Sequence, residues 1–262
     1  MFCSLTHKTF VGAIAFFLLF IHVPVAIAGH ISVSPLKVFF LDGAQTNQLT
    51  VNNSTDSAVF IEAKIKRWMQ DEAGNPKLND TDDLIFYPKI SKVPAHSSIV
   101  VRLGYQKKAG DVEQTYRIFI RELPDVNEKG EMMGLGLLMR FSVPIFISSS
   151  QSSKEKVEIQ SLLESDKGVL VRISNAGNHY VQLPAVHATG LRDGQSVFEK
   201  KVNGWYILHH SAKNFLLNIT KDECKQADTL LISTQTSLES PALKKTFLLD
   251  KQYCQALMKQ TK

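Results

Sequence analysis

The sequence predicts an all-β chain built as two β-sandwich domains, and three observations carry that prediction. Apolar residues recur with period two, or in short runs of strand length rich in Val, Ile and Phe, instead of with helical period. Clusters of turn-forming residues punctuate those runs at short intervals. One hexapeptide, Ser148-Ser149-Ser150-Gln151-Ser152-Ser153, has no apolar anchor and divides the chain into two halves, each near the size of one sandwich. The composition permits a real core: 44% of residues are hydrophobic, 21% are charged and 15 are Phe. This excludes collagen-like, low-complexity and disulfide-dense small scaffolds, and wholesale disorder.

In chain order, residues 1–28 read as a secretory signal. Lys8 is the only charged residue there, the apolar run Phe10 to Ile21 is too short to span a membrane as a helix, and Ala26-Ile27-Ala28 supplies a small-x-small site for cleavage after Ala28. An uncleaved N-terminal anchor is the competing reading. Removing Lys8 takes the net charge from +5 to +4, and no cluster of basic residues marks a nucleic-acid site. No second apolar stretch approaches membrane-spanning length. The expected domains are 29–150 and 151–262.

In the first half, Ile31-Ser32-Val33-Ser34, Leu49-Thr50-Val51-Asn52, Phe60 to Trp68 and Ile99 to Leu103 read as strands. Turns are expected at Asp42-Gly43, Asn52 to Asp56, Glu72 to Pro76 and Pro94 to Ser97. In the second half, Val157 to Ile159, Val169 to Ile173, Tyr180 to Leu183, Leu230 to Ile232 and Thr246 to Leu249 continue the pattern, with no long helix anywhere. Cys224 and Cys254 remain after the signal leaves. In an oxidising compartment this even pair reads as one disulfide; a redox or metal pair is disfavoured by the spacing of 30 and by the absence of a nearby His.

The segment before the serine linker is unusual. Leu135, Leu137, Met139, Phe141, Val143, Ile145 and Ile147 are all apolar at odd positions, whereas the even positions are mixed. Alternation across a strand gathers them into one stripe, and thirteen residues would extend about 43 Å, against a usual strand of roughly 5–6 residues. Two readings stand. Either the whole stripe is core of its own domain, or its first half, Leu135, Leu137 and Met139, is a strand offered to a partner whose own fold is incomplete.

The chain resembles the periplasmic chaperones of chaperone–usher pilus assembly. The resemblance is carried by Val33-Ser34-Pro35-Leu36-Lys37-Val38, Val51-Asn52-Asn53-Ser54, Pro94-Ala95-His96 leading to Val101-Arg102-Leu103, and Tyr116-Arg117-Ile118-Phe119-Ile120-Arg121-Glu122-Leu123-Pro124, in that order. It implies two immunoglobulin-like domains set in a boomerang. It also implies a donor strand running through Leu135, Leu137, Met139 and Phe141, and a basic anchor for the C-terminal carboxylate of a pilus subunit. Well-studied members use an Arg on the first strand and a Lys on the last strand of domain one. Here those positions fall on Lys37 and on the uncharged Pro144. The sequence is closer in look to the archaic (alternate) class, which nominates Arg117 as main anchor, with Lys37 and Arg140 behind it. A guanidinium suits a carboxylate because it offers paired donors and stays charged. The competing reading of Arg117 is a strand residue at the surface, or one paired with Glu113 or Glu122.

The resemblance further implies a non-enzymatic periplasmic protein without cofactor. Its partners would be pilus subunits and an outer-membrane usher, with a self-capping homodimer left open. The sequence has no Gly-x-Ser-x-Gly, His-Glu-x-x-His or Cys-x-x-Cys motif, and adjacent His209 and His210 would point to opposite faces of a strand, so no metal site is expected. The alternative function is a secreted two-domain pilus subunit or adhesin.

Overall fold

The computed structural model describes residues 31–124, 138–165, 167–237, 240–249 and 254. The signal sequence and its cleavage site, Leu135 and Leu137 lie outside the described residues.

Ten strands form the first sandwich: β1 (Ile31–Ser34), β2 (Val38–Phe40), β3 (Thr46–Asn53), β4 (Val59–Gln70), β5 (Pro76–Asp80), β6 (Leu84–Tyr87), β7 (Ile90–Val93), β8 (Ser97–Tyr105), β9 (Gln114–Leu123) and β10 (Arg140–Ile147). One sheet has the order β1-β3-β8-β6; the other runs β2-β10-β9-β4-β5, with β7 also pairing with β4. Alternation decides which residues face inward. On β4, Ile61, Ala63 and Ile65 enter the core; on β9, Tyr116, Ile118 and Ile120; on β10, Val143, Ile145 and Ile147.

The long strand expected to begin near residue 134 lies partly outside the described residues, which resume at Leu138. Its described part starts at Arg140 and is eight residues long, and Leu138 and Met139 precede it without strand geometry. Main-chain pairing nonetheless reaches one residue further, because Glu122 N–H donates to Met139 O at 2.9 Å.

The second sandwich contains β11 (Val157–Ser165), β12 (Gly168–Asn175), β13 (Val181–Gln182), β14 (Ala185–Arg192), β15 (Gln195–Asn203), β16 (Tyr206–Ile207), β17 (Ser211–Leu217), α1 (Lys221–Gln226), β18 (Thr229–Thr234) and β19 (Leu243–Leu248). Its sheets are β11-β12-β17, β15-β14-β18-β19 and the small pair β13-β16. The short helix α1 is opened by Thr220, whose hydroxyl accepts from Glu223 N–H while the Glu223 carboxylate accepts from Thr220 N–H, a reciprocal cap. Cys224 on that helix is joined to Cys254, with Cα atoms 5.7 Å apart. Both cysteines are buried in the second core.

The same device closes one strand in each sandwich. Asn53, fully buried at the end of β3, donates Nδ2 to Ser57 O, Val93 O and Pro94 O, and its Oδ1 accepts from Thr55 N–H. Asn175, at the end of β12, donates to His179 O, Ile207 O and Leu208 O and accepts from Gly177 N–H. Each amide satisfies main-chain groups that would otherwise be buried unpaired. The serine hexapeptide between the two cores is pinned from both sides. Ser148 and Ser150 N–H groups donate to Phe40 O and Gly110 O, and Ser152 O accepts from Asn178 Nδ2.

Candidate functional site

The alternation that sends Tyr116 inward sends Arg117 to the outer face of the β2-β10-β9-β4-β5 sheet. Tyr116 is fully buried and its hydroxyl donates to Asp83 at 2.8 Å. On the opposite face, the Arg117 guanidinium lies 4.0 Å above the Trp68 ring. That ring has come outward on β4 and is itself buried. Arg117 Nη1 donates to Ser142 Oγ at 3.0 Å, whereas Arg117 Nε is buried with no hydrogen-bond partner among the described residues. Burial holds the Arg117 pKa below its usual value, yet a guanidinium remains charged at any relevant pH.

Neither carboxylate suggested as its partner engages it. Glu113 turns to Tyr180 N–H, and Glu122 accepts from Met139 N–H. Among the described residues no carboxylate forms an ion pair with Arg117, in contrast to Arg121, which pairs with Glu62 at 2.7 Å.

Trp68 is the floor of an aromatic cluster built from both sandwiches. It packs with Phe146, Tyr206 and Leu208, with Tyr180 against them. Phe146 and Tyr180 stack at 3.9 Å, and Tyr206 meets Trp68 edge-on at 5.4 Å. Phe146 belongs to the mixed even face of β10, which is why the odd-residue stripe alone did not point to it. Lys37 stands across this cleft. Its ammonium donates to Gln182 Oε1 at 2.6 Å and sits 5.4 Å from the Tyr206 centroid.

Lys37 and Arg117 therefore both touch the aromatic cluster, Lys37 at Tyr180 and Tyr206 and Arg117 at Trp68. Arg140 is not part of it. It lies six residues before Phe146 on the same face of β10, roughly 20 Å away at strand rise, and covers Phe119 at 4.7 Å. Pro144 is the direct cross-strand neighbour of Arg117, so the position that lacks a cation on β10 has one beside it on β9.

The cleft has fixed walls because the sandwiches are docked. The turn between β4 and β5 reaches β17 and β12: Asn214 N–H donates to Ala73 O at 3.1 Å, Lys213 Nζ to Gly74 O at 3.2 Å, and Arg172 Nη1 of β12 to Glu72 O at 2.8 Å. Gln70 bridges to Tyr206 O and to Leu208 N–H.

Beside the cleft, β10 has an open border. β2 pairs only with Ile145, Phe146 and Ile147, which leaves Arg140 to Pro144 without a strand on that side among the described residues. Met139 and Phe141 are half-buried, and Phe141 packs against its own core. Leu138, Leu36, Phe39 and Leu41 are exposed large apolar residues nearby in sequence to β10 or β2.

Residues 30–152 match the family model of the pili and flagellar-assembly chaperone, PapD N-terminal domain. The N-terminal half of the chain is thus similar to the pilus-assembly chaperones. Two probable fimbrial chaperones EcpB agree with this. One, from Klebsiella pneumoniae strain 342, is 31% identical over 98 residues, covering 37% of this chain and 44% of that one. The other, from K. pneumoniae subsp. pneumoniae strain ATCC 700721 / MGH 78578, is 30% identical over 90 residues, covering 34% and 40%. The matched region thus spans less than half the length of these curated relatives.

The two-domain immunoglobulin-like chaperone fold is shared with solved structures at low identity. A chain of the CsuC–CsuE chaperone–tip adhesion subunit pre-assembly complex, from archaic chaperone–usher Csu pili of Acinetobacter baumannii, superimposes with a TM-score of 0.61 at 14% identity, covering 82% of this chain and 97% of that one. The YadV chaperone gives 0.54 at 13% identity, covering 84% and 99%.

Proposed function

We propose that this protein is a pilus-assembly chaperone that works in the periplasm, where it captures pilus subunits whose immunoglobulin-like fold lacks a strand, completes them with its own, and delivers them to an outer-membrane usher. The single observation that carries the reading is the Arg117 guanidinium. It is held on Trp68 with a buried, unpartnered Nε and no carboxylate beside it, next to the open border of β10. A buried donor without an acceptor is costly to leave unsatisfied, and an incoming carboxylate would satisfy it in the paired geometry a guanidinium favours.

In this reading the subunit's C-terminal carboxylate docks at Arg117, with Lys37 rimming the other side of the cleft. Docking fixes register, and the subunit edge then pairs with β10 through main-chain hydrogen bonds. The apolar stripe of Leu135, Leu137 and Met139 enters the subunit's groove, and each fully buried side chain contributes roughly 1.5–3 kcal/mol. Phe141 remains the hinge between this stripe and the chaperone's own core. Arg140, distant from the cleft, contacts the subunit body instead of its terminus. The archaic-class assignment rests on Pro144 taking the place of a cation on β10 while Arg117 supplies one from β9. The chaperone matches support this over a pilus subunit or adhesin.

Co-expression with candidate secreted pilus subunits, followed by co-purification, tests the proposal. Arg117→Ala is expected to abolish capture while leaving the free protein folded, since truncating a buried charge partner costs about 2–5 kcal/mol in a complex. Arg117→Lys is expected to restore part of the capture. Unchanged capture by Arg117→Ala would remove Arg117 from the role.

A further inference from the structure

Among the described residues three buried side-chain nitrogens have no hydrogen-bond partner: Trp68 Nε1, Arg117 Nε and His209 Nδ1. All three gather at one place. Trp68 is the floor of the aromatic cluster, the Arg117 guanidinium lies 4.0 Å above its ring, and His209 directly follows Leu208, a member of the same cluster. Buried side-chain donors are nearly always answered, and a buried indole N–H usually finds an acceptor. Two unanswered donors on side chains in contact with each other point to an acceptor that comes from outside the chain.

The strands hold both donors in place. Arg117 on β9 faces Lys66 on β4, and Trp68 is the next residue on that face of β4. The Trp68 main chain is tied down, because Thr115 Oγ1 donates to Trp68 O at 2.6 Å. Its ring is packed edge-on against Tyr206 and tilted against Phe146. The neighbouring cations are already engaged, Lys66 with Asp80 at 3.1 Å and Lys37 with Gln182 at 2.6 Å. Arg117 is only half-buried, and its Nη1 reaches the exposed Ser142 on the open border of β10.

We infer that Trp68 is a second donor of this site: its indole N–H and the Arg117 guanidinium together hold a terminal carboxylate, each taking one oxygen.

This role rests on the docking proposed for Arg117 and names what that docking selects. A carboxylate offers two acceptor oxygens and no donor. Each N–H takes one oxygen at about 2.7–3.2 Å, and bonds to a charged acceptor are the strong ones. A carboxamide of the same shape turns an NH2 group against one of the two donors and leaves it unpaired. A polar site rejects an analogue by that kind of mismatch. Trp68 thus adds what a lone guanidinium lacks. Arg117 attracts any anion, whereas the pair asks for two oxygens on one carbon.

The chain has two tryptophans, so in W205F the Trp68 N–H gives the one indole peak of a nitrogen-15 spectrum. The probe is the peptide acetyl-Thr-Val-Thr-Val-Thr-Phe, ending either in a free carboxylate or in a carboxamide. The acid is expected to move the Trp68 indole peak downfield to saturation, and the amide to leave it in place. W205F/W68F keeps a ring beneath Arg117 and lacks the N–H. It is expected to bind the acid about tenfold more weakly, the loss of one hydrogen bond to a charged group, and the amide as before. A ring that served only as a support would change both peptides alike. W205F/H209Q is expected to behave as W205F.

An acid that binds through Arg117, with binding lost in W205F/R117A, but leaves the indole peak unmoved overturns the role of Trp68 and spares the docking at Arg117. So does W205F/W68F with full affinity for the acid or equal losses for both peptides, or an indole shift that vanishes in W205F/H209Q. An acid that binds no tighter than the amide, or equally well in W205F/R117A, overturns the docking and the role of Trp68 with it. The spectrum of W205F needs no change at 68, so it gives the decision even where W205F/W68F fails to fold.

Discussion

Arg117 and Asn53 are opposite solutions to the placement of a polar side chain in a buried setting. Asn53 uses its whole amide, giving three carbonyls a donor and one N–H an acceptor. Asn53→Ala is therefore expected to lower the stability of the first sandwich by several kcal/mol, since each buried group left unpaired costs roughly 1–3 kcal/mol. Chemical denaturation followed by circular dichroism would measure it, and a loss under about 1 kcal/mol would mean that the turn rearranges. Arg117 is left with a donor to spare, and nothing among the described residues answers it. The Val51-Asn52-Asn53-Ser54 landmark and the Tyr116-Arg117 pair were both legible in the sequence. The ring beneath Arg117 was not, because Trp68 reaches it from a strand 49 residues earlier in the chain, and only cross-strand register brings Arg117 beside Lys66 and Arg67.

At the scale of elements, legibility follows burial. β4, β8, β12 and β18 announce themselves because one face is core and the other is not. β5, almost wholly exposed, and the two-residue β16 carry no such contrast, so their sequences lack the alternation from which a strand is inferred. The Thr220-x-x-Glu223 cap was a readable signal for α1, although six residues fall short of an apolar helical period. That helix carries the Cys224–Cys254 bond. Cys254→Ser is expected to destabilise the second sandwich by about 2–5 kcal/mol, in the range typical of a native disulfide lost from a small secreted domain. Calorimetry should show its transition moving to lower temperature and the first sandwich's moving less. Equal shifts in both would mean that the sandwiches unfold as one unit.

Across the whole molecule, the relation between the sandwiches is set by the β4–β5 turn. Gly74 has φ +82, and a Cβ there would meet Ala212 O and Lys213 at 2.6 Å. Gly74→Ala is thus opposed twice, by a left-handed backbone and by main chain of the other sandwich. It is expected to loosen the docking, seen as a larger radius of gyration in solution scattering and a shifted Trp68 emission, with secondary structure unchanged. An unaltered scattering curve would place the constraint elsewhere. No reading of sequence could find this contact, since the turn and β17 are far apart along the chain and each looks ordinary alone.

The ring on which Arg117 rests has its other neighbours drawn from both halves: Phe146 from one, Tyr206 from the other. The guanidinium is thus aimed by a joint that neither half owns. An excised N-terminal half would still display its unpaired border, but its cation would lie on a loosened bearing, able to wander over the distances that decide whether a carboxylate is gripped by two N–H groups or merely attracted. The second sandwich then serves as the rest that steadies the aim.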